Sequence, residues 1–153
     1  MNIRKAEKID LAELQILSAL LDSYRSVNFA MGTKKFHDRK HPHPSFIDSD
    51  FDESIILVSV NEEGEIVGFI HGSVSERNDH VLSKVGYIEG FFVTEEVRGT
   101  GVATSLFKQL EAEFKIQGCD HLATHTDFEN ELSRKFYLHA GMVPATVEFW
   151  KEL

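Results

Sequence analysis

The chain has 153 residues and a formal net charge of −9, from 16 Lys and Arg against 25 Asp and Glu. The acidic balance argues against binding to the phosphates of a nucleic acid, and a single Cys excludes an internal disulfide and indicates a reducing compartment. No apolar run approaches the roughly 18 residues of a membrane span, and the polar N-terminus is unlike a signal peptide. We therefore expect one globular domain over residues 1–153, in the cytoplasm, with no nucleic acid or membrane partner.

The first predicted elements are a short strand over Met1–Ala6 and a helix that runs from Asp10 to about Tyr24. Asp10 and Glu13 have the spacing of a capping box. Leucines then recur on one helical face, which predicts that this face is buried. They are Leu11, Leu14, Leu17, Leu20 and Leu21.

The segment from Val27 to Phe51 lacks clear periodicity, although a second short helix over Thr33–Lys40 is one interpretation. A connection of this length inside a compact domain is more often functional than structural. It contains His37, His41 and His43. No Cys and no ordered set of carboxylates accompanies these histidines, so the sequence predicts no metal site.

The remaining elements alternate between strands and helices. Two strands flank the turn Glu62-Glu63-Gly64, which is the pattern of a hairpin, and Gly118 and Gly141 stand where helices end. The predicted elements are strands Ser54–Asn61, Glu65–Ser75 and Lys84–Val93, helix Gly101–Gln117, strand His121–Thr126, helix Asn130–Ala140 and strand Val147–Leu153.

The loop Arg98–Ala103, with the sequence RGTGVA, connects a strand to a helix. A helix that begins at such a turn directs backbone N–H groups and the positive end of its dipole outward, which favours an anion such as phosphate. The loop lacks the GxxxxGK[ST] of a P-loop and the third glycine of a dinucleotide-binding GxGxxG. A plain turn that needs glycine for positive φ is the alternative reading.

A second motif lies about thirty residues further on: Asn130-x-x-Ser133-x-x-Phe136-Tyr137, followed by Ala140-Gly141-Met142. Together with Arg-x-x-Gly-x-Ala at Arg98–Ala103, it resembles the two signatures of the GNAT superfamily of acetyl-CoA-dependent N-acetyltransferases. The resemblance implies an α+β fold, with a mixed, mostly antiparallel central sheet that is flanked by helices and splayed between its fourth and fifth strands. It also implies acetyl-CoA as cosubstrate, with no metal.

Within that superfamily the strands are most similar to those of bacterial aminoglycoside 6′-N-acetyltransferases. Two residues depart from the pattern, because His71 and His125 stand where those enzymes typically carry acids. Each replacement removes an anion that a polycationic antibiotic would use. His71 and His125 are therefore candidate acceptor-binding residues, and the identity of the acceptor amine stays open.

The resemblance also implies which residues bind the cofactor. The loop would bind the pyrophosphate through its backbone, the end of the preceding strand would contact the pantetheine arm, and Asn130 would bond that arm or act as a helix cap. The predicted cofactor-binding residues are Phe92, Val93, Arg98, Gly99, Thr100, Gly101, Ala103, Thr104 and Asn130.

Two residues are candidates for acid–base chemistry. Tyr137 is the candidate general acid, since a neutral phenol can protonate a departing thiolate; a packed core tyrosine is the alternative. Glu89 is the candidate base, because Tyr87, Glu89 and Phe91 would share a strand face, and a carboxylate among aromatic rings loses hydration and becomes a better base. A surface glutamate or an ion pair is the alternative for Glu89.

The register of the third and fourth strands suggests how Glu89 is placed. A turn centred on His80 puts positions equally far from it opposite each other, and His71 and Glu89 are both nine residues away. They would form a cross-strand pair and a coupled base, although a slip of one residue would put them on opposite faces. A β-bulge at Gly90-Phe91 would free a backbone N–H as an oxyanion donor.

These residues predict an acetyl-CoA-dependent N-acetyltransferase that moves an acetyl group to a primary amine of a small cationic molecule, by direct attack in a ternary complex. An aminoglycoside 6′-N-acetyltransferase, a protein or peptide N-acetyltransferase and a non-catalytic acetyl-CoA-binding module are the alternatives. Similar small enzymes often dimerise through their last strands, so a homodimer is also expected.

Overall fold

The structure is a computed structural model that describes residues 1–28, 46–77, 79–149 and 151. It comprises two compact units, Met1–Leu21 with Pro44–Thr124 and Asp22–His43 with His125–Leu153. The expected second helix over residues 33–40 and the histidines His37, His41 and His43 fall outside the described residues. The prediction of one domain over residues 1–153 stays a prediction.

The first unit contains a five-stranded sheet in the order β1-β2-β3-β4-β5. Neighbouring strands are antiparallel except β4 and β5, which are parallel. The predicted mixed, mostly antiparallel sheet is therefore confirmed. The strands are β1 Asn2–Lys5, β2 Ile55–Val60, β3 Ile66–Glu76, β4 Lys84–Val93 and β5 His121–Ala123.

The last two strands pair over a short length only. The ladder between β4 and β5 runs from Val85 opposite His121 to Tyr87 opposite Ala123, whereas β4 continues to Val93. The second half of β4 therefore extends past the end of β5, as expected for a sheet that is splayed at this point.

The described residues contain four α-helices. Short 3₁₀ turns at Lys8–Asp10 and Glu95–Val97 precede the first and third of them. The Asp10 carboxylate accepts a hydrogen bond from the Glu7 N–H at 2.8 Å, so it closes the turn before the first helix and forms no capping box with Glu13. The helices are α1 Leu11–Asn28, α2 Asp50–Glu53, α3 Val102–Ile116 and α4 Glu131–His139.

One face of the sheet packs against α1. The buried side chains of this core are Leu14, Leu17, Phe46, Ile56, Val58, Ile66 and Phe69. On the other face, Phe114 of α3 lies directly on Gly72 and Gly86, where an added Cβ at Gly72 would come within 2.5 Å of the ring and one at Gly86 closer still. These two glycines let α3 approach the sheet closely, and this fixes the loop from which α3 begins.

The predicted strand over Val147–Leu153 is wrong for the residues that can be described, since residues 147–149 and 151 form none. Val147 and Phe149 alternate with polar residues as in a strand, but both are exposed, at 66% and 91%. A strand requires a neighbouring edge that completes its hydrogen bonds. The alternation alone supplies no such neighbour.

Candidate active site

The loop between β4 and α3 has the conformation that its glycines predict. Gly99 has φ of +77° and Gly101 has φ of +92°, values that favour glycine because an L side chain there is strained. The Arg98 side chain holds the loop to β4, since its Nε donates to the Val93 carbonyl at 3.2 Å and its guanidinium lies 5.9 Å from the centre of the Phe92 ring. Thr100 Oγ1 donates to the Val97 carbonyl at 2.7 Å.

The loop delivers the N-terminus of α3 to an exposed position. Gly101 is the last residue before this helix of 15 residues, and the first N–H groups of a helix, here those of Val102, Ala103 and Thr104, have no acceptor within it. The first turn contains no acidic residue, so nothing there opposes an anion. This geometry suits a phosphate group.

The register of β3 and β4 changes at Glu89. Pairs run regularly from Glu76 opposite Lys84 to Gly72 opposite Ile88, and the next pair is His71 opposite Gly90. Glu89 is therefore the extra residue of a β-bulge. The predicted cross-strand pair of His71 and Glu89 is wrong, because the regular register ends one residue before it would form. The bulge predicted at Gly90-Phe91 lies at Glu89.

The bulge also changes which side chains share a face of the sheet. Phe91 pairs with Ile70 and Phe92 pairs with Phe69, and directly opposed residues lie on the same face. Phe92 therefore lies on the α1 face with Phe69, and Phe91 lies on the other. The prediction that Phe91 shares a face with Tyr87, which is opposite Ser73 on the α1 face, is wrong for the same reason.

Glu89 is an exposed carboxylate. Its Oε1 accepts a hydrogen bond from Ser73 Oγ at 2.6 Å, which draws it to the α1 face of the sheet. The prediction that it is desolvated among aromatic rings is wrong, since the bulge lets the side chain reach solvent. Burial raises the pKa of the half-buried Tyr87, and the charge of Glu89 adds to that rise.

His71 lies on the same face, half buried. Its Nε2 is 2.9 Å from Ser54 Oγ, and its ring centre is 5.2 Å from that of Phe46. Burial lowers the pKa of His71, while the negative charges of Asp50 and Glu89 oppose the shift. His71 and Glu89 thus interact through their charges, although they do not pair across the strands.

The second unit contains the other predicted residues. Asn130 caps α4, because its Oδ1 accepts a hydrogen bond from the Ser133 N–H at 3.0 Å; its role at the pantetheine arm stays a prediction. Tyr137 is half buried on α4, with its ring centre 5.5 Å from that of Phe136. β5 ends at Ala123, so the predicted strand to Thr126 is too long, and His125 lies beyond it with an exposed side chain.

The hydroxyl partners Ser54 and Ser73 were not foreseen. Counting from the turn at Gly64 would not have found them, because the register of β2 and β3 shifts between Ser59 and Val60; beyond the shift Ile56 lies opposite His71 and Ile55 lies opposite Gly72. One further step along this register brings Ser54 to the level of Ser73, beside His71.

In the parts of the chain that the structure describes, no group of three or more His, Cys, Asp or Glu side chains is placed to hold a metal ion. Likewise, none of the helices among the described residues has the length and apolar character that crossing a bilayer requires.

Comparison with known proteins places the chain in a family. The family model described as "Acetyltransferase (GNAT) family" matches residues 16–142. The chain belongs to the GNAT acetyltransferase family. The resemblance predicted from the loop and the Asn130 motif is therefore confirmed.

Curated relatives of this GNAT protein match it over part of their length. An uncharacterized N-acetyltransferase of Methanocaldococcus jannaschii is 35% identical over 80 residues, which are 52% of this chain and 47% of that one. An aminoglycoside N(6′)-acetyltransferase type 1 of Klebsiella aerogenes is 31% identical over 87 residues, 56% and 57% of the two chains. The chain thus spans about half the length of the curated relatives that it matches.

Solved structures share the fold over the whole chain. The BH1408 protein of Bacillus halodurans, solved as a tetramutant, has a TM-score of 0.83 at 22% identity and covers 100% of both chains. The aminoglycoside N-acetyltransferase AAC(6′)-Iy in complex with CoA has a TM-score of 0.71 at 22% identity and covers 99% of both. At these identities the likeness establishes the GNAT fold alone.

Proposed function

We propose that this protein is an acetyl-CoA-dependent N-acetyltransferase that transfers the acetyl group to a primary amine of a small cationic molecule. The observation that carries the proposal is the loop before α3, in a chain that belongs to the GNAT family. Gly99 and Gly101 at positive φ expose an N-terminus free of acidic residues. The AAC(6′)-Iy structures with CoA and with a CoA-linked bisubstrate analogue support the same cofactor for this chain.

The proposed cofactor contacts follow the chain from β4 into α3. The second half of β4, beyond its pairing with β5, contributes contacts to the pantetheine arm, and the loop with the first turn of α3 binds the pyrophosphate. The residues in these roles are Phe92, Val93, Arg98, Gly99, Thr100, Gly101, Ala103 and Thr104. Asn130 is proposed to bond the pantetheine arm as well as capping α4.

The proposed reaction is direct attack of the amine on the thioester in a ternary complex. The irregular ladder at Glu89 releases a backbone N–H from regular pairing, and this group serves as the donor to the developing oxyanion. Tyr137 protonates the departing thiolate as general acid. No covalent acetyl-enzyme is required, because the amine is itself the nucleophile.

The acceptor is proposed to bind beside Glu89. This carboxylate is exposed on the α1 face, and a chain with a net charge of −9 attracts cations. His71, on the same face of the sheet, is assigned to the acceptor side as well, and His125 is proposed as a further acceptor-binding residue. An aminoglycoside acceptor is the second candidate, favoured by the 31% identity to the Klebsiella aerogenes enzyme over 87 residues.

Release of the CoA thiol tests this function. Acetyl-CoA is offered with a panel of amines: alkyl monoamines and diamines, a polyamine, an aminoglycoside, and a peptide with a free N-terminus. Acetyl-CoA-dependent thiol release with small cationic amines supports the proposal, and preference for the aminoglycoside or the peptide favours that acceptor instead. Binding of acetyl-CoA without turnover of any amine would identify a non-catalytic binding module.

A charge substitution tests the acceptor side. Glu89→Gln keeps the size of the side chain but removes its charge, so we expect a higher KM for the cationic amine and an unchanged KM for acetyl-CoA. Glu62→Gln, in the exposed turn between β2 and β3, is the matched control. Equal KM values for the amine in both variants would contradict the assignment of Glu89.

A homodimer is also proposed, on the resemblance to small enzymes of this superfamily. Sedimentation velocity at several concentrations tests it. A single species with the mass of one 17.4 kDa chain at all concentrations would refute it.

A further inference from the structure

A hydrogen-bonded chain joins α2 to the ring of His71 through Ser54. Ser54 Oγ is 2.6 Å from the carbonyl oxygen of Asp50 and 2.9 Å from His71 Nε2. A carbonyl oxygen can only accept, and a hydroxyl has one proton. The Ser54 hydroxyl therefore donates its proton to the backbone carbonyl oxygen of Asp50. A lone pair of Ser54 Oγ is left to accept a hydrogen bond from His71 Nε2.

This arrangement fixes the tautomer of the imidazole. Nε2 must carry a hydrogen in the neutral ring as well as in the charged one, so the proton that His71 gains and loses is the one on Nδ1. No other hydrogen bond to the His71 ring is present among the described residues. Neutral His71 consequently has its basic lone pair on Nδ1.

The surroundings favour the neutral form of this ring. The ring packs against Phe46 at 5.2 Å, and burial lowers the pKa of His71. The charged groups that act on it from the neighbouring elements are Asp50 of α2 and Glu89 of β4, and both oppose that shift without reversing it. A neutral imidazole next to a carboxylate is a suitable site for an ammonium group that must lose a proton.

We propose that His71 is the general base of the acetyl transfer, that it takes the proton from the acceptor ammonium on Nδ1, and that Ser54 is the residue that positions it. The inference rests on the proposed function and deepens it. It assigns to Glu89 the binding of the ammonium, and to His71 the deprotonation for which the sequence suggested Glu89.

The proposed step balances as follows. One ammonium proton passes to Nδ1, and the amine lone pair then forms the C–N bond to the thioester carbonyl carbon. The C–S bond breaks when the tetrahedral intermediate collapses, and its electron pair leaves on sulfur. The thiolate takes a proton from the general acid, the acid is restored by the second proton that nitrogen loses, and His71 returns its proton to water.

The first test replaces His71 by Gln. The Gln amide nitrogen can still donate to Ser54 Oγ, but the side chain has no basic nitrogen. We expect about a 100-fold lower kcat at neutral pH for an alkyl amine, in line with the contribution of a general base, and an unchanged KM for acetyl-CoA. His80→Gln, the same change in the exposed turn between β3 and β4, is the control.

A pair of acceptors makes this test specific for proton transfer. An alkyl amine from the panel is compared with its β,β,β-trifluorinated analogue, in which the three fluorines withdraw enough electron density to leave the amine largely neutral at the same pH, so that it needs no base. We expect the ratio of wild-type kcat to His71→Gln kcat to fall from about 100 for the alkyl amine toward one for the analogue. A merely structural role would give the same ratio with both amines.

Nitrogen NMR of ¹⁵N-histidine-labelled wild-type protein tests the tautomer independently of activity and of any variant's folding. We expect the hydrogen of neutral His71 on Nε2, and Ser54→Ala should release the ring to a mixture of tautomers. A hydrogen on Nδ1 of neutral His71 in the wild type, or equal kcat ratios for the two amines, would overturn the assignment of His71 as the base. Amine-dependent thiol release by the wild type would still support the proposed function in that case. If no amine of the panel supported thiol release by the wild type, both the assignment of His71 and the proposed function would be overturned.

Discussion

Replacing Gly101 by Ala should weaken the binding of CoA through backbone strain alone. Gly101 has φ of +92°, and an added Cβ would meet no atom within 4 Å, so the substitution introduces no clash. An L residue in this region costs about 1–2 kcal/mol. The free variant relieves the strain by moving the loop, and binding must restore the original conformation.

The expected loss follows from that cost. Because 1.4 kcal/mol corresponds to a tenfold change in an equilibrium constant, about 1–2 kcal/mol predicts a Kd for CoA that is about 5- to 30-fold higher. Isothermal titration calorimetry with CoA measures it directly, with no need for an acceptor amine.

Gly118→Ala is the matched control, since Gly118 has φ of +77°, has equal space around it and lies at the other end of α3. Denaturant unfolding measures the stability of both variants, and only Gly101→Ala should also lose affinity for CoA. If Gly101→Ala binds CoA as tightly as the wild type, or if Gly118→Ala weakens it equally, then the loop does not hold the cofactor through its conformation.

Three further predictions concern the acid, an ion pair and the packing of α3. Tyr137→Phe should lower kcat at least tenfold with unchanged affinity for acetyl-CoA in calorimetry, and an unchanged kcat would remove Tyr137 from the reaction. Asp10→Asn should lower the free energy of unfolding by about 1–3 kcal/mol at neutral pH, because Arg4 contacts the buried carboxylate at 2.6 and 2.9 Å and lowers its pKa. The contribution of this ion pair to the free energy of unfolding is complete above the ordinary carboxyl pKa, and it is lost as the pH falls through the lower pKa that Asp10 has in the folded protein. The free energies of unfolding of the wild type and Asp10→Asn, measured with urea, should therefore converge in acid. Gly86→Ala should lower the melting temperature in calorimetry, at a cost of about 1–3 kcal/mol, because its Cβ would overlap the Phe114 ring; an unchanged melting temperature would mean that α3 can shift.

The parts of the fold that local patterns specify were predictable from sequence. The strand over Lys84–Val93 has the predicted bounds, because its apolar and aromatic run ends at turn residues on both sides. The hairpin of β2 and β3 follows from Gly64, which has φ of +88° and allows the tight turn. The loop at Gly99 and Gly101 was predictable for the same reason, since glycine is what such backbone angles require.

The parts of the fold that depend on a partner distant in the sequence were not predictable from the sequence. A strand at Val147 and Phe149 needs an edge to pair with, and alternation does not say whether one exists. The faces of Glu89 and Phe91 depend on a bulge that only the pairing with β3 defines. For the same reason the sequence could suggest that His71 and Glu89 interact. It could not reveal that Ser54 bonds to His71 and that Ser73 bonds to Glu89.

The bulge leaves Glu89, the residue proposed to bind the acceptor, outside the pairing of the sheet. Ile88 and Gly90 face consecutive residues of β3, namely Gly72 and His71, so the residue between them takes no place in the ladder. A chain that lacked this residue could keep every other pair of β3 and β4 in register. A chain with a different residue at this position would have the same strand pairing. The carboxylate that we propose to bind the acceptor can therefore be gained, lost or exchanged in evolution in a single step, without any change in the strands that carry the loop between β4 and α3.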